Sequence, residues 1–167
     1  MSAPCDLRRH IRELVALYRR THYDVALPDG RTLTLHVGAP PPREVADWIG
    51  ADSAAAYLTA SNPRSRSLPD AENAERMIRL RHDLHGAGAR WLEGCGHLPG
   101  GRWREPSLLV AGLALAAVDR FARDCEQDAC LHVAIAKPVV LRLYRDDWRG
   151  HLAPAADLEW SNLALSG

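Results

Sequence analysis

Leu7, Ile11, Leu14, Val15 and Tyr18 recur at three- and four-residue steps near the start of the chain. This spacing predicts an amphipathic helix that lays one stripe on a sheet, while its Arg pairs keep the opposite face in water. The period then changes to two: Leu33, Leu35 and Val37 alternate with Thr32, Thr34 and His36, and Pro28-Asp29-Gly30 separates this arm from Tyr23 to Leu27. Asp-Gly between such arms predicts a β-hairpin. Pro40-Pro41-Pro42 ends the second arm, and Val45, Trp48 and Ile49 mark a short helix that starts just past the last proline. The apolar run Ala54 to Ala60 is bounded by turn residues and predicts a central strand buried on both faces.

Ser67-Leu68-Pro69-Asp70 carries a Ser-x-x-Asp helix-start signal, and Ala71, Ala74, Met77, Ile78 and Leu84 form the stripe of a helix that Gly86-Ala87-Gly88 ends. Ala89 to Gly94 reads as a strand, Cys95 to Gly101 as a mobile Gly-rich loop, and Trp103 to Leu113 as a strand in which Pro106 marks an edge or a bulge. Leu115, Val118, Phe121, Ala122 and Cys125 predict another helix, and Cys130 to Ala136 with Val139 to Tyr144 a closing hairpin around Lys137-Pro138. Periodicity is lost from Arg145 onward. The expectation is a single α/β (or α+β) domain over residues 1–145, a mixed sheet of about six to seven strands with helices packed on it. Residues 146–167 are expected to form a tail, with Trp148 and Trp160 packed back.

Composition narrows the function classes. With 167 residues and 47% hydrophobic positions the chain can bury one core. Lys+Arg 21 balances Asp+Glu 21, which disfavours a general nucleic-acid binder. The start lacks the apolar run of a secretory signal, and no stretch is long enough to cross a bilayer, so a cytoplasmic protein without membrane attachment is expected. The cysteines at 5, 95, 125 and 130 read as free thiols. Cys95, His97, Cys125, Cys130 and His132 contain zinc-preferred atoms, but their spacing fits no zinc knuckle and no metal is expected. No cofactor is expected either, because Gly94-Cys95-Gly96 and Gly100-Gly101 match neither a P-loop nor a dinucleotide fingerprint.

The densest chemistry lies where the apolar run enters Thr59, Ser61, Asn62, Arg64, Ser65, Arg66 and Ser67 and then a helix whose first turn holds Glu72 and Asn73. Hydroxyls, amides and guanidiniums at a strand-to-helix junction can cradle a small anionic or nucleotide-like ligand, although the same residues also serve ordinary turn chemistry. Glu105, between Trp103 and Ser107, is the best candidate for a general acid or base, since a carboxyl beside an indole can be desolvated. The competing role is an ion pair with Arg102, Arg104 or Arg76.

Tyr57 to Pro63, Ser65, Glu72-Asn73, Leu80, Leu84, Gly88, Glu105-Pro106-Ser107 and Gln127-Asp128-Ala129 together resemble the motif series of a bacterial family, domain of unknown function 3293. The resemblance spans Tyr18 to Tyr144. The family pattern reads Thr-Ala-x-Asn-Pro, Glu-Glu-Ser and Gln-Asn-Ala; here Pro106 replaces the second acid and Asp128 the amide, which weighs against a two-carboxylate mechanism. The resemblance implies a fold and the place of a site, with no catalytic residue.

Three functions follow as expectations. The first is ligand binding at residues 59–73, with Arg64 or Arg66 pairing an anion, Asn62 and Asn73 orienting it, and Glu105 and Ser107 at the entrance. The second is a metal-independent hydrolase or transferase using Glu105 with Ser61 or Ser107. The third is an interaction module built on Trp148, Trp160 or a sheet edge.

Overall fold

The computed structural model describes residues 4–162, with side chains from Asp6 onward. The described residues hold four α-helices, three short 3-10 helices and one eight-stranded sheet. Helix α1 spans Pro4–Arg20, α2 Arg43–Ile49, α3 Asp70–Gly86 and α4 Leu115–Asp124. The strands are β1 His22–Ala26, β2 Thr32–Leu35, β3 Ala54–Leu58, β4 Arg90–His97, β5 Arg104–Ala111, β6 Ala129–Ala134, β7 Val140–Leu143 and β8 Leu158–Trp160. Their order is β2-β1-β4-β5-β3-β6-β7-β8, with every pairing antiparallel except β7 with β8.

Strand alternation divides the interior into two cores. Ala55, Tyr57, Leu109, Ala111, Leu131 and Val133 face one side with Ile11 and Val15 of α1 and Val45 and Ile49 of α2. Ala56, Leu58, Leu108, Val110 and Cys130 face the other, under Met77, Leu80 and Leu84 of α3 and Val118 and Ala122 of α4. Strand β3 lies between β5 and β6, in the interior of the sheet as its unbroken apolar run predicts. The sheet also curls: Val37, beyond β2, forms a parallel bridge with Val139, beside β7. The Gly38 N–H donates to Val139 O at 2.8 Å, and the Val139 N–H donates to Ala39 O at 2.9 Å.

Three expectations change, and the one for Pro106 holds. The sheet has eight strands where about six to seven were expected, because Leu158–Trp160 pairs in parallel with Leu141–Leu143. Cys95, Gly96 and His97 are strand rather than loop, paired with Asp24, Tyr23 and His22. Gly94 serves close approach there: a Cβ at this position would lie 2.6 Å from both Asp24 O and the Tyr57 hydroxyl. Pro106 sits in an interior strand, yet β3 reaches β5 only from Leu108 onward, so at Pro106 the strand is flanked by β4 alone. Ser67 supplies no side-chain cap to α3; the Leu68 N–H instead donates to Asn62 Oδ1 at 3.0 Å.

The chain past Tyr144 joins one of these cores. Trp148 is 2% exposed and belongs to the core under α1 and α2, and Trp160 packs partly against it, with the Arg149 guanidinium 4.6 Å from its ring centre. Cys95, Cys125 and Cys130 are free thiols, while the side chain of Cys5 lies outside the described residues. No described helix is long and apolar enough to cross a membrane.

Candidate functional site

Where the C-terminal half of α1 meets the ends of β3, β5 and β6, the curled sheet leaves a cavity of about 220 Å³. Tyr18 of α1, Tyr23 of β1, Tyr57 of β3 and Trp103, just before β5, give it an aromatic wall. Thr59, Asn62, Ser65, Ser67, Glu105, Ser107, Gln127 and Asp128 supply its polar groups.

Glu105 is held by one side chain. Asn62 Nδ2 donates to its Oε2 at 2.7 Å, and no ion pair of Glu105 with Arg102, Arg104 or Arg76 occurs among the described residues. Burial pushes its carboxyl up to about 7, against the opposing effect of the Asn62 bond. Asn62 is itself fixed. Its backbone N–H donates to Asn73 Oδ1 at 2.9 Å, and its Oδ1 accepts from Asn73 Nδ2 at 3.0 Å as well as from the Leu68 N–H. The two amides therefore lock the strand-to-helix turn and aim the one remaining amide group at Glu105.

A second polar chain crosses the cavity from α1. The Ser65 hydroxyl donates to Asp128 Oδ2 at 2.7 Å, so the Tyr18 hydroxyl, 2.6 Å from Ser65 Oγ, donates to Ser65. Asp128 is almost fully buried and accepts from Arg145 at 3.0 Å through its other oxygen. Burial also raises the Tyr18 phenol far above its ordinary value, which keeps it neutral.

The loop that presents these groups is strained. Asn62, Arg64 and Ser65 have φ of 49°, 53° and 54°, the left-handed region that residues other than glycine seldom occupy. Each such residue costs on the order of 1 kcal/mol, and the surroundings over-determine it: the Arg64 N–H donates to Glu126 O at 2.8 Å and Ser65 is tied to Asp128.

Of the residues singled out by sequence, Thr59, Asn62, Ser65, Ser67, Glu105 and Ser107 line the cavity, and Asn73 stands behind Asn62. Ser61 is 1% exposed, lies outside the lining and leaves its hydroxyl without a hydrogen-bond partner among the described residues. Arg64 and Arg66 are exposed and do not line the cavity. The nearest acid to Arg64 is Asp128, at 3.9 Å. Sequence reasoning missed Tyr18, Tyr23, Tyr57 and Asp128 as parts of the site. For Asp128 a signal existed in the Gln127-Asp128-Ala129 block and for Tyr57 in the Tyr57 to Pro63 block; for Tyr18 and Tyr23 there was none, because an apolar stripe and a strand arm already account for them.

No group of three or more His, Cys, Asp or Glu among the described residues is arranged to hold a metal ion. Cys130 instead meets the Tyr144 hydroxyl at 3.2 Å, and His132 pairs with Glu159 at 2.8 Å.

Residues 58–130 match the family model described as "Protein of unknown function (DUF3293)". The matched segment carries Thr59, Asn62, Ser65, Asn73, Glu105, Ser107 and Asp128, so most of the polar side of the cavity falls inside it. The aromatic residues Tyr18, Tyr23 and Tyr57 come from outside it. No curated protein and no solved structure matches the chain.

Proposed function

We propose that the chain binds a small organic molecule in the cavity between α1 and the ends of β3, β5 and β6, with the Glu105 carboxyl as its principal polar contact. One observation carries this reading. A concave aromatic wall surrounds a carboxyl whose Oε2 is held by Asn62 and whose other oxygen has no hydrogen bond among the described residues. Strain at Asn62, Arg64 and Ser65 supports it, since such backbone persists where the geometry serves something other than stability. Anion binding through Arg64 or Arg66 draws no support from the cavity, because neither side chain lines it.

A fragment screen on the full chain, read by amide NMR shifts, tests the reading. Hits should perturb residues 57–62, 105–107 and 127–129 together, and Tyr57→Phe with Glu105→Gln should weaken them. Hits that cluster elsewhere, or that ignore both substitutions, would refute it.

A second reading is acid–base catalysis by Glu105, favoured by its carboxyl titrating at about 7, where it can give or take a proton near neutral pH. Turnover on a panel of hydrolysable and transferable substrates should then fall at least about a hundredfold in Glu105→Gln. Turnover that is unchanged in this variant excludes the role.

A further inference from the structure

The hydrogen-bond donors of the cavity wall are nearly all spent inside the protein. Tyr23 donates to the Tyr18 carbonyl at 2.8 Å, Tyr57 to the Asp24 carbonyl at 2.8 Å, and Thr59 to the Pro106 carbonyl at 2.8 Å. Ser107 donates to the Glu105 carbonyl at 3.1 Å, and Tyr18 and Ser65 pass their protons along to Asp128. Gln127 commits its amide nitrogen to the Ser61 and Cys125 carbonyls. Once Glu105 is ionised, what is left over accepts: its second oxygen and the lone pairs of Tyr18 and Ser107. The uncommitted donors are the second amide proton of Asn62 and two exposed groups, the Ser67 hydroxyl and the Trp103 indole. No Lys, Arg or His is among the lining residues.

A guest that brings hydrogen-bond acceptors or negative charge would therefore meet mostly acceptors and a carboxyl. One that brings donors and positive charge meets an acceptor-rich floor and a wall of Tyr and Trp, rings whose faces attract cations. We propose that the cavity takes an organic cation, a primary ammonium or amidinium carried on a flat apolar body, and pairs it with the Glu105 carboxylate. This rests on the reading of the cavity as a binding site and names the class of its guest.

Binding and protonation are then linked. In the empty cavity burial keeps Glu105 protonated up to about pH 7, whereas a bound cation needs the carboxylate. Below that pH the cation must displace a proton, so its association constant rises about tenfold for each pH unit and levels off above it.

The test uses four probes of one ring size on the full chain: benzamidine, benzylamine, benzyl alcohol and benzoate. Calorimetry and amide NMR from roughly pH 5.5 to 8.5 give the affinity, the protons released and the site. The amidine and the amine should perturb residues 57–62 and 105–107, bind at least about tenfold tighter than the alcohol, and release a proton at the acid end. Glu105→Gln should lose that tenfold preference and the proton release, with the amidine and the amine falling to the affinity that the variant shows for the alcohol. If benzyl alcohol or benzoate occupies the cavity as tightly as benzamidine, the cation assignment falls and the binding site stands. Amidine affinity that is flat with pH, or equal in Glu105→Gln, also overturns the assignment. If none of the four perturbs the cavity, the assignment and the binding site fall together.

Discussion

Asn62 and Asn73 exchange hydrogen bonds across the turn between β3 and α3, each using its side-chain amide and one of them its backbone N–H. Removing either amide leaves partly buried polar groups of the other without partners. Asn73→Ala should cost about 1–3 kcal/mol in denaturant unfolding. It should also release Asn62 from its orientation toward Glu105, so cavity binding should weaken by more than the stability loss explains. An Asn73→Ala variant with wild-type stability would show that the amide pair does not hold the turn.

Glu105 sets a pH dependence of known sign. Its folded-state pKa, about 7, lies above the ordinary carboxylate value, so the folded protein takes up the proton more readily than the unfolded chain does. The stabilisation tied to the neutral carboxyl is complete below roughly pH 4.3 and is lost as pH rises through about 7. Glu105→Gln removes this titration. Relative to wild type it should gain stability between acid and neutral pH, by at most about 3 kcal/mol. Urea titrations of both proteins at several pH values check this, and parallel curves would contradict it.

Gly94 admits no side chain. A methyl group on its Cα would meet the Asp24 carbonyl and the Tyr57 hydroxyl at 2.6 Å, where β1 and β4 pair beneath the Tyr57 ring. Gly94→Ala should therefore lower stability by about 1–3 kcal/mol and shift the amide signals of Asp24 and Tyr57. Gly30, whose φ is 87° with nothing near its Cβ position, offers a contrast: Gly30→Asn meets no neighbour and should cost only the strain of a left-handed residue, under about 1 kcal/mol for Asn. Equal losses at the two sites would rule out close packing as the reason for Gly94.

Trp148 is 2% exposed in the core under α1 and α2. Trp148→Ala should cost about 3–5 kcal/mol. Ending the chain after Tyr144 should cost more, because it also removes Arg145 from Asp128, Glu159 from Arg142 and the Ser161 hydroxyl from Asp119. An interaction module would keep its melting transition after that cut and lose only a partner. A truncated chain that melts like the full one would favour the module.

Periodicity in the sequence exposed the elements whose pairing is local or whose faces are uniform: α1, the β1–β2 hairpin, β3, α3 and α4. It failed where the reason for a residue lies far away in the chain. Gly94-Cys95-Gly96 looks like loop because glycine usually signals one, yet here glycine makes room for Tyr57. Leu158–Trp160 is too short and too isolated to read as a strand, and its parallel partner has no turn signal to announce it. The polar loop from Thr59 to Ser67 was visible, but not which side chains turn inward. Left-handed backbone at Arg64 and Ser65 brings Ser65 to the cavity while both neighbouring arginines stay in solvent, and no spacing rule anticipates that.

The bridge from Val37 to Val139 ties the chain beyond β2 to the start of β7 and closes the curl of the sheet under the buried face of α1. Two short backbone hydrogen bonds, from the Gly38 N–H to Val139 O and from the Val139 N–H to Ala39 O, make that seam. Segments from the two halves of the chain are thereby stapled to each other, and fraying at either one is resisted by the other.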